Sequence, residues 1–196
     1  EPALASGILW RDWLWADSEG NRLPISNRTS QNAYLSPDGK WALLFLGKNW
    51  GVSTPTAAKP KPIVVQASFA DPDWDRGRPA EPVTTPTWLA DGSAVVHDTH
   101  DAWQIEPDGT ARRLTEGRPA GLRHRLVTTG SSAPDPGKAL YFALLDDATF
   151  RTGFAIKEPS SEVKPLLLDD VLVTELRQVP QADRMVFRMQ AFDKPS

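Results

Sequence analysis

A tight-turn signal of the Asp-Gly kind recurs along this chain, each time followed at once by a strand-like apolar run. The first copy is Tyr34-Leu35-Ser36-Pro37-Asp38-Gly39-Lys40-Trp41, then Ala42-Leu43-Leu44-Phe45-Leu46. The second is Thr87-Trp88-Leu89-Ala90-Asp91-Gly92-Ser93, then Ala94-Val95-Val96. A weaker third is Asp135-Pro136-Gly137-Lys138, then Ala139-Leu140-Tyr141-Phe142-Ala143-Leu144-Leu145. A fourth, without the glycine, is Val179-Pro180-Gln181-Ala182-Asp183-Arg184, then Met185-Val186-Phe187-Arg188-Met189. Glycine reaches positive φ without a Cβ clash, so Asp-Gly between strand-like runs marks a hairpin. Gly39 to Gly92 is 53 residues, Gly92 to Gly137 is 45 and Gly137 to Asp183 is 46. Hairpins repeating at this period predict the four-stranded blades of a β-propeller. A helical solenoid would need long runs of 3.6 periodicity, and Leu166–Leu176 is the best on offer.

The second unit is legible further on. Ala102-Trp103-Gln104-Ile105 and Ala111-Arg112-Arg113-Leu114-Thr115 flank the turn Glu106-Pro107-Asp108-Gly109-Thr110. Gly153-Phe154-Ala155-Ile156 and Val163–Leu168 flank Glu158-Pro159-Ser160-Ser161, and Trp13-Leu14-Trp15 with Arg22-Leu23-Pro24-Ile25 suggest one more hairpin. Glycine and proline together make up 31 of 196 residues, above the ~12% of an average chain, and there are eight tryptophans. Many turns with bulky aromatics fit short strands. The stretch 51–86 holds seven prolines and reads as a long surface loop carrying one short strand, Ile63-Val64-Val65-Gln66-Ala67.

Several classes are set aside. A content of 40% apolar and 24% charged residues suits a packed globular chain. The longest apolar runs, Ala42–Leu46 and Leu166–Leu168, fall far short of the ~20 residues of a membrane helix. Glu1-Pro2-Ala3-Leu4 has no basic region leading into an apolar core, so no signal peptide is expected there. A net charge of −3 argues against electrostatic nucleic-acid binding. Without cysteine there is no disulfide framework, thiolate nucleophile or cysteine zinc site.

The segment from Thr87 to Val127 resembles the propeller of the prolyl-oligopeptidase family of serine peptidases, in its bacterial branch near the dipeptidyl peptidases. The residues that carry the likeness are Trp88-Leu89-Ala90-Asp91-Gly92, then Asp98-Thr99-His100-Asp101-Ala102-Trp103-Gln104-Ile105-Glu106-Pro107-Asp108-Gly109, then Arg113-Leu114-Thr115-Glu116-Gly117-Arg118. Leu35–Trp41 and Ala139–Ile156 extend it, so that it covers most of residues 34–190, with 98–118 the most specific part. His97 and His100 stand where the family carries mid-strand aromatics. The family's hydrolase domain, with its G-x-S-x-G elbow, is absent: Gly51-Val52-Ser53-Thr54-Pro55 and Gly130-Ser131-Ser132-Ala133-Pro134 lack the second glycine. Four blades are also fewer than the seven or eight of such a propeller, which implies part of a larger protein, a cleavage product or one subunit of an assembly.

His97-Asp98-Thr99-His100-Asp101 is the one cluster that resembles an acid–base or metal site. On a strand, His97, Thr99 and Asp101 would share one face, and Asp98 and His100 the other, so neither face offers a histidine pair for a metal. Carboxylates bonding turn amides are the favoured reading. A Ser/His/Asp triad built from His97, His100 or His124 has no local elbow to place its serine. The basic run Arg112, Arg113, Arg118, Arg123, His124, Arg125 could grip a peptide carboxylate or phosphate, against the plainer reading of a solvated edge paired with the acidic stretch Asp71–Asp75. Arg118, Arg123, Arg125 and His100 are the candidate ligand contacts. Trp41, Trp88 and Trp103 are expected between blades or on turns, and Trp10, Trp13 and Trp15 on a surface laid bare by truncation.

The expected fold is therefore all-β: an incomplete β-propeller of about four four-stranded blades over 1–60, 61–118, 119–170 and an unfinished 171–196, with the proline-rich loop at 51–86. No catalytic residue, cofactor or metal is assigned. The resemblance implies the non-catalytic propeller portion of a serine peptidase, gating peptides or anchoring them, and a periplasmic or secreted location. A stand-alone propeller acting as a protein-interaction module is the alternative. Uncovered blade faces call for a partner: the missing α/β-hydrolase domain, a second propeller half or a homo-oligomer, with peptide as substrate of the parent enzyme and no nucleic acid or membrane span.

Overall fold

The Asp-Gly turns close as their chemistry requires. Asp38 Oδ1 accepts from the Lys40 amide at 3.1 Å and from Ser36 Oγ at 2.7 Å, while Gly39 sits at φ 70° and donates to the Ser36 carbonyl. Gly92 repeats this at φ 87°, with Asp91 Oδ1 holding the Ser93 amide. The computed structural model describes residues 9–57, 59–75, 79–179 and 184–191.

The strands are β1 (Arg11–Ala16), β2 (Arg22–Thr29), β3 (Ala33–Leu35), β4 (Ala42–Phe45), β5 (Trp50–Ser53), β6 (Lys61–Pro62), β7 (Thr87–Trp88), β8 (Ala94–His97), β9 (Ala102–Ile105), β10 (Ala111–Arg113), β11 (Leu122–Val127), β12 (Leu140–Asp146), β13 (Thr152–Lys157), β14 (Lys164–Asp169), β15 (Leu172–Gln178) and β16 (Met185–Gln190). They form three four-stranded antiparallel meanders, β3–β6, β7–β10 and β11–β14, flanked by the separate hairpins β1–β2 and β15–β16. The protein is an incomplete β-propeller. The stretch expected as one unit over 1–60 divides between β1–β2 and the first meander.

The stacking follows from side-chain alternation. Leu43 and Phe45 of β4 point to the second meander and meet Ala94, Val96 and Ile105. Their neighbours Ala42 and Leu44 point the other way, onto Ile25, Trp13 and Trp15 of the first hairpin. Val95 packs with Leu140, Phe142 and Leu144 of the third meander, and Tyr141, Ala143 and Phe154 meet Val173 and Leu176 of the last hairpin. A strand covered on both faces loses its polar positions. That is why Ala42–Phe45 and Ala94–His97 are buried throughout.

The two ends of the stack differ. The turns β3–β4, β7–β8 and β11–β12 meet at one end, where Trp41 Nε1 donates to the Gly92 carbonyl at 3.2 Å and the Ala90 amide to Pro134. The links between meanders and the turns β4–β5, β8–β9 and β12–β13 meet at the other, where the Phe69 amide bonds Lys48, His124 bonds His100 and Asp147 bonds Gly121. Trp41 is almost wholly buried and stands edge-on to Trp88 with centroids 4.9 Å apart. Trp41→Phe is expected to cost about 1–2 kcal/mol, read by urea denaturation, because it removes that bond and leaves space in a close-packed interface. An unchanged midpoint would show that the Trp41 bond contributes nothing.

Three local expectations are corrected. Residues 63–67 form no strand: proline removes an amide, and pairing stops at Lys61–Pro62, after which Ile63 turns into the core and its amide bonds the Trp50 carbonyl. Trp13 and Trp15 do not face outward. They lie half-buried against the first meander, their indoles donating to the Gln31 carbonyl and Ser53 Oγ. His97–Asp101 is no continuous strand, since β8 ends at His97. Of the fourth turn, residues 180–183 lie outside the described residues, while its flanks pair as β15 and β16.

Candidate ligand-contact site at the loop end

Asp98 makes the β8–β9 turn with its side chain. Oδ1 accepts from the amides of His100 and Asp101 at 2.8 and 2.7 Å, and Oδ2 from Trp103 Nε1 at 3.1 Å and Arg118 Nη2 at 3.4 Å. Asp101 reaches across to the link after β10. Its Oδ1 accepts from Thr115 Oγ1 at 3.0 Å and from the Gly117 amide at 2.5 Å, while Thr115 Oγ1 accepts from the Ala102 amide. A Cβ at Gly117 would lie 2.0 Å from the Leu122 carbonyl oxygen, so only glycine fits that approach. The carboxylates bond turn amides, as the sequence suggested.

His97 is equally committed. Its Nε2 accepts from the Leu126 amide at 3.0 Å, which leaves the proton on Nδ1, directed at Thr84 Oγ1 2.8 Å away. Burial, aided by Arg125, pulls its pKa down to about 3. Burial also lowers that of His124. Both ring nitrogens of His97 are bonded, so it has none free to serve a serine as base. Among the described residues no cluster of three or more His, Asp or Glu could hold a metal ion.

The four candidate contacts come together at this end but divide by role. Arg125 is half-buried and spends its guanidinium on the carbonyls of His124 and Thr99, both at 2.9 Å. Arg123 Nε donates to Asp147 Oδ1 at 2.5 Å, and His100 Nε2 lies 3.0 Å from Asp147 Oδ2. Asp147 therefore clasps the second and third meanders together. Arg123 Nη1 also lies 4.0 Å from the exposed Asp73, so the acidic stretch does meet the basic run. Arg118 differs: its side chain is 55% exposed and, among the described residues, its polar contact is Asp98.

Two features escaped the sequence reading. Asp147 was not among the candidate residues. Phe150, three residues on, is 76% exposed and held at φ 58°, in the left-handed region that few non-glycine residues adopt. Asp146 imposes that geometry: its carbonyl takes the Phe150 amide, and its Oδ1 takes the amides of Ala148 and Thr149. Leu46, in the β4–β5 turn, and Val64, in the link after β6, are also exposed at this end.

No family model and no curated protein matches this chain. A solved structure assigned as TolB from Agrobacterium tumefaciens is similar to it. The two align over 89% of this chain and 76% of the other, at 18% identity and a TM-score of 0.36. Among the described residues no helix is long and apolar enough to cross a membrane.

Proposed function

We propose that the chain is a non-catalytic protein-interaction module that takes an acidic peptide segment at its loop end, with Arg118 as the anion contact and Phe150 as the apolar anchor. The observation that carries this reading is Phe150. An exposed aromatic in a left-handed conformation costs stability twice, by apolar exposure and by backbone strain, and such costs collect at binding surfaces. Arginine and bulky aromatics are also the residues that dominate binding hot spots. The histidines and carboxylates nearby tie the second meander to the third, which supports a preformed platform at this end.

A narrower reading is the propeller portion of a prolyl-oligopeptidase-like serine peptidase, gating peptides or anchoring them at this same end, with no catalytic residue assigned to it. Its support is the string at 98–118. Yet Asp98, Asp101 and Trp103 are accounted for by the bonds of the β8–β9 turn and the link after β10. The string marks a way of building a blade, which serves any function the blade carries, and the interaction module is preferred.

The test is a fluorescence titration with hexapeptides that contain glutamate and one leucine, against their glutamine counterparts. The acidic peptides should bind in preference. Arg118→Ala should weaken them about tenfold, about 1.4 kcal/mol. Phe150→Gly should weaken both sets while raising stability by up to about 1 kcal/mol, since glycine takes positive φ without strain. Equal binding by parent and variants would overturn the assignment.

A further inference from the structure

The two seams between the meanders are sealed differently. Between the first and second, the long link after β6 lays Ile63 and Phe69 into the core, with Val65 and Ala67 packed on it beside Trp103 and Ala111. Lys61 Nζ donates to the Asp108 carbonyl at 2.8 Å across the same seam. Between the second and third meanders the link after β10 is short. The Leu114 amide bonds the Ala102 carbonyl, Thr115 and Gly117 are drawn in to Asp101, and the chain has entered β11 by Leu122. Among the described residues, the core cluster of this seam takes only Leu114 from that link. A groove of about 680 Å³ stays open along it.

Strand alternation decides which side chains reach the groove. Ala102 of β9 faces the third meander, so Gln104 does too, and Arg112, its partner on β10, shares that face. On β13, Ala155 faces the second meander, and so does Lys157 two residues on. The groove therefore has Arg112 and Leu114 on one wall and Lys157 and Val163 on the other, and is lined further by Leu122 and His124 of β11. His124 is 5% exposed, and its Nδ1 has no hydrogen-bond partner among the described residues. Arg112 Nη2 donates to Gln104 Oε1 at 2.6 Å, and Lys157 Nζ to the Ser161 carbonyl at 2.5 Å. Both acceptors are neutral oxygens. Of the acidic residues on the walls, Glu116 is held by Arg113 and Glu162 is exposed, so the groove keeps a positive balance.

We propose that this groove binds a small amphipathic oxyanion, a carboxylate or phosphate monoester that carries an apolar body. The body lies against Leu114, Leu122 and Val163, and the charged head sits between Arg112 and Lys157. Guanidinium and ammonium groups bond an oxyanion more strongly than the neutral oxygens these two hold, which is what selects a charged head over a neutral one. A concave site of about 300–1,000 Å³, part apolar and with a few converging polar groups, is the usual form of a small-molecule site. The groove shares no residue with the platform of Arg118 and Phe150, so it stands apart from peptide binding at the loop end.

The test is isothermal titration calorimetry of the 196-residue chain with octanoate, octyl phosphate and octanol, each below its micelle-forming concentration. The oxyanions should bind about tenfold more tightly than octanol, and the tighter of the two identifies the head as carboxylate or phosphate. Arg112→Gln and Lys157→Gln should each weaken the oxyanions about tenfold and leave octanol unchanged, because a charged hydrogen bond is lost and no apolar contact is. Arg118→Ala should change neither. The chain has three histidines, so their ring resonances can be followed singly. The favoured oxyanion should move the resonance of His124, which lines the groove, and leave that of His97 in place. No binding by the parent chain, octanol binding as tightly as the oxyanions, full binding by the Arg112→Gln, Lys157→Gln double variant, or a shift at His97 without one at His124 would each overturn the proposal.

Discussion

Asp101→Ala should lower the stability of the chain by about 3 kcal/mol. The carboxylate is almost wholly buried and accepts from the Thr115 hydroxyl and the Gly117 amide, and Thr115 in turn holds the Ala102 amide. Alanine leaves these donors buried without an acceptor. A hydrogen bond to a charged group is worth about 1.5–3 kcal/mol, and an orphaned buried donor costs about 1–3 kcal/mol. Asp101→Asn keeps one acceptor oxygen without the charge and should lose about half as much. Urea denaturation followed by tryptophan fluorescence reads both. A loss below about 1 kcal/mol in the alanine variant would show that the carboxylate is not a structural tie.

Acid should destabilise the fold between pH 7 and pH 5. His97 is neutral in the fold, with a pKa of about 3 against an ordinary 6.5. As pH falls through 6.5 the unfolded chain takes up a proton that the folded one refuses. The stabilisation is therefore complete above about pH 6.5 and is lost steadily toward pH 3. One unit of pKa corresponds to about 1.4 kcal/mol, so His97 accounts for about 2 kcal/mol between pH 7 and pH 5. His124, lowered by burial, adds in the same direction. Asp38 and Asp146, both held near 2 by turn hydrogen bonds, contribute only below about pH 4. The His97→Gln variant, whose amide retains a donor and an acceptor, should show a shallower fall between pH 7 and pH 5. An equal slope in parent and variant would remove His97 from the account.

The readable parts of this fold were those where a backbone requirement selects a residue type. Positive φ at Gly39, Gly92 and Gly109 demands glycine, so the tight-turn end stood out. Burial on both faces demands uninterrupted apolar residues, so β4, β8 and β12 did too. The outer strand β6 did not: it has two residues, a lysine and a proline. The β8–β9 turn was read as strand because the Asp98 side chain, with no glycine, makes it. Of the four candidate contacts, clustering was legible, but the division between the committed Arg125 and the exposed Arg118 depends on which carbonyls lie nearby. Phe150 left no signal, since nothing in a phenylalanine announces a left-handed backbone.

The alternation that stacks the sheets makes this an almost one-dimensional molecule. Among the described residues, four apolar clusters join each sheet to its neighbours. Cooperativity then travels along a line, as in repeat proteins. The strongest coupling lies between the first two meanders, where Trp41, Phe45, Trp50 and Phe69 are buried together, and it weakens toward β16, whose strand is largely exposed. Unfolding therefore has a direction: it enters at the C-terminal hairpin and meets its main barrier at the tryptophans.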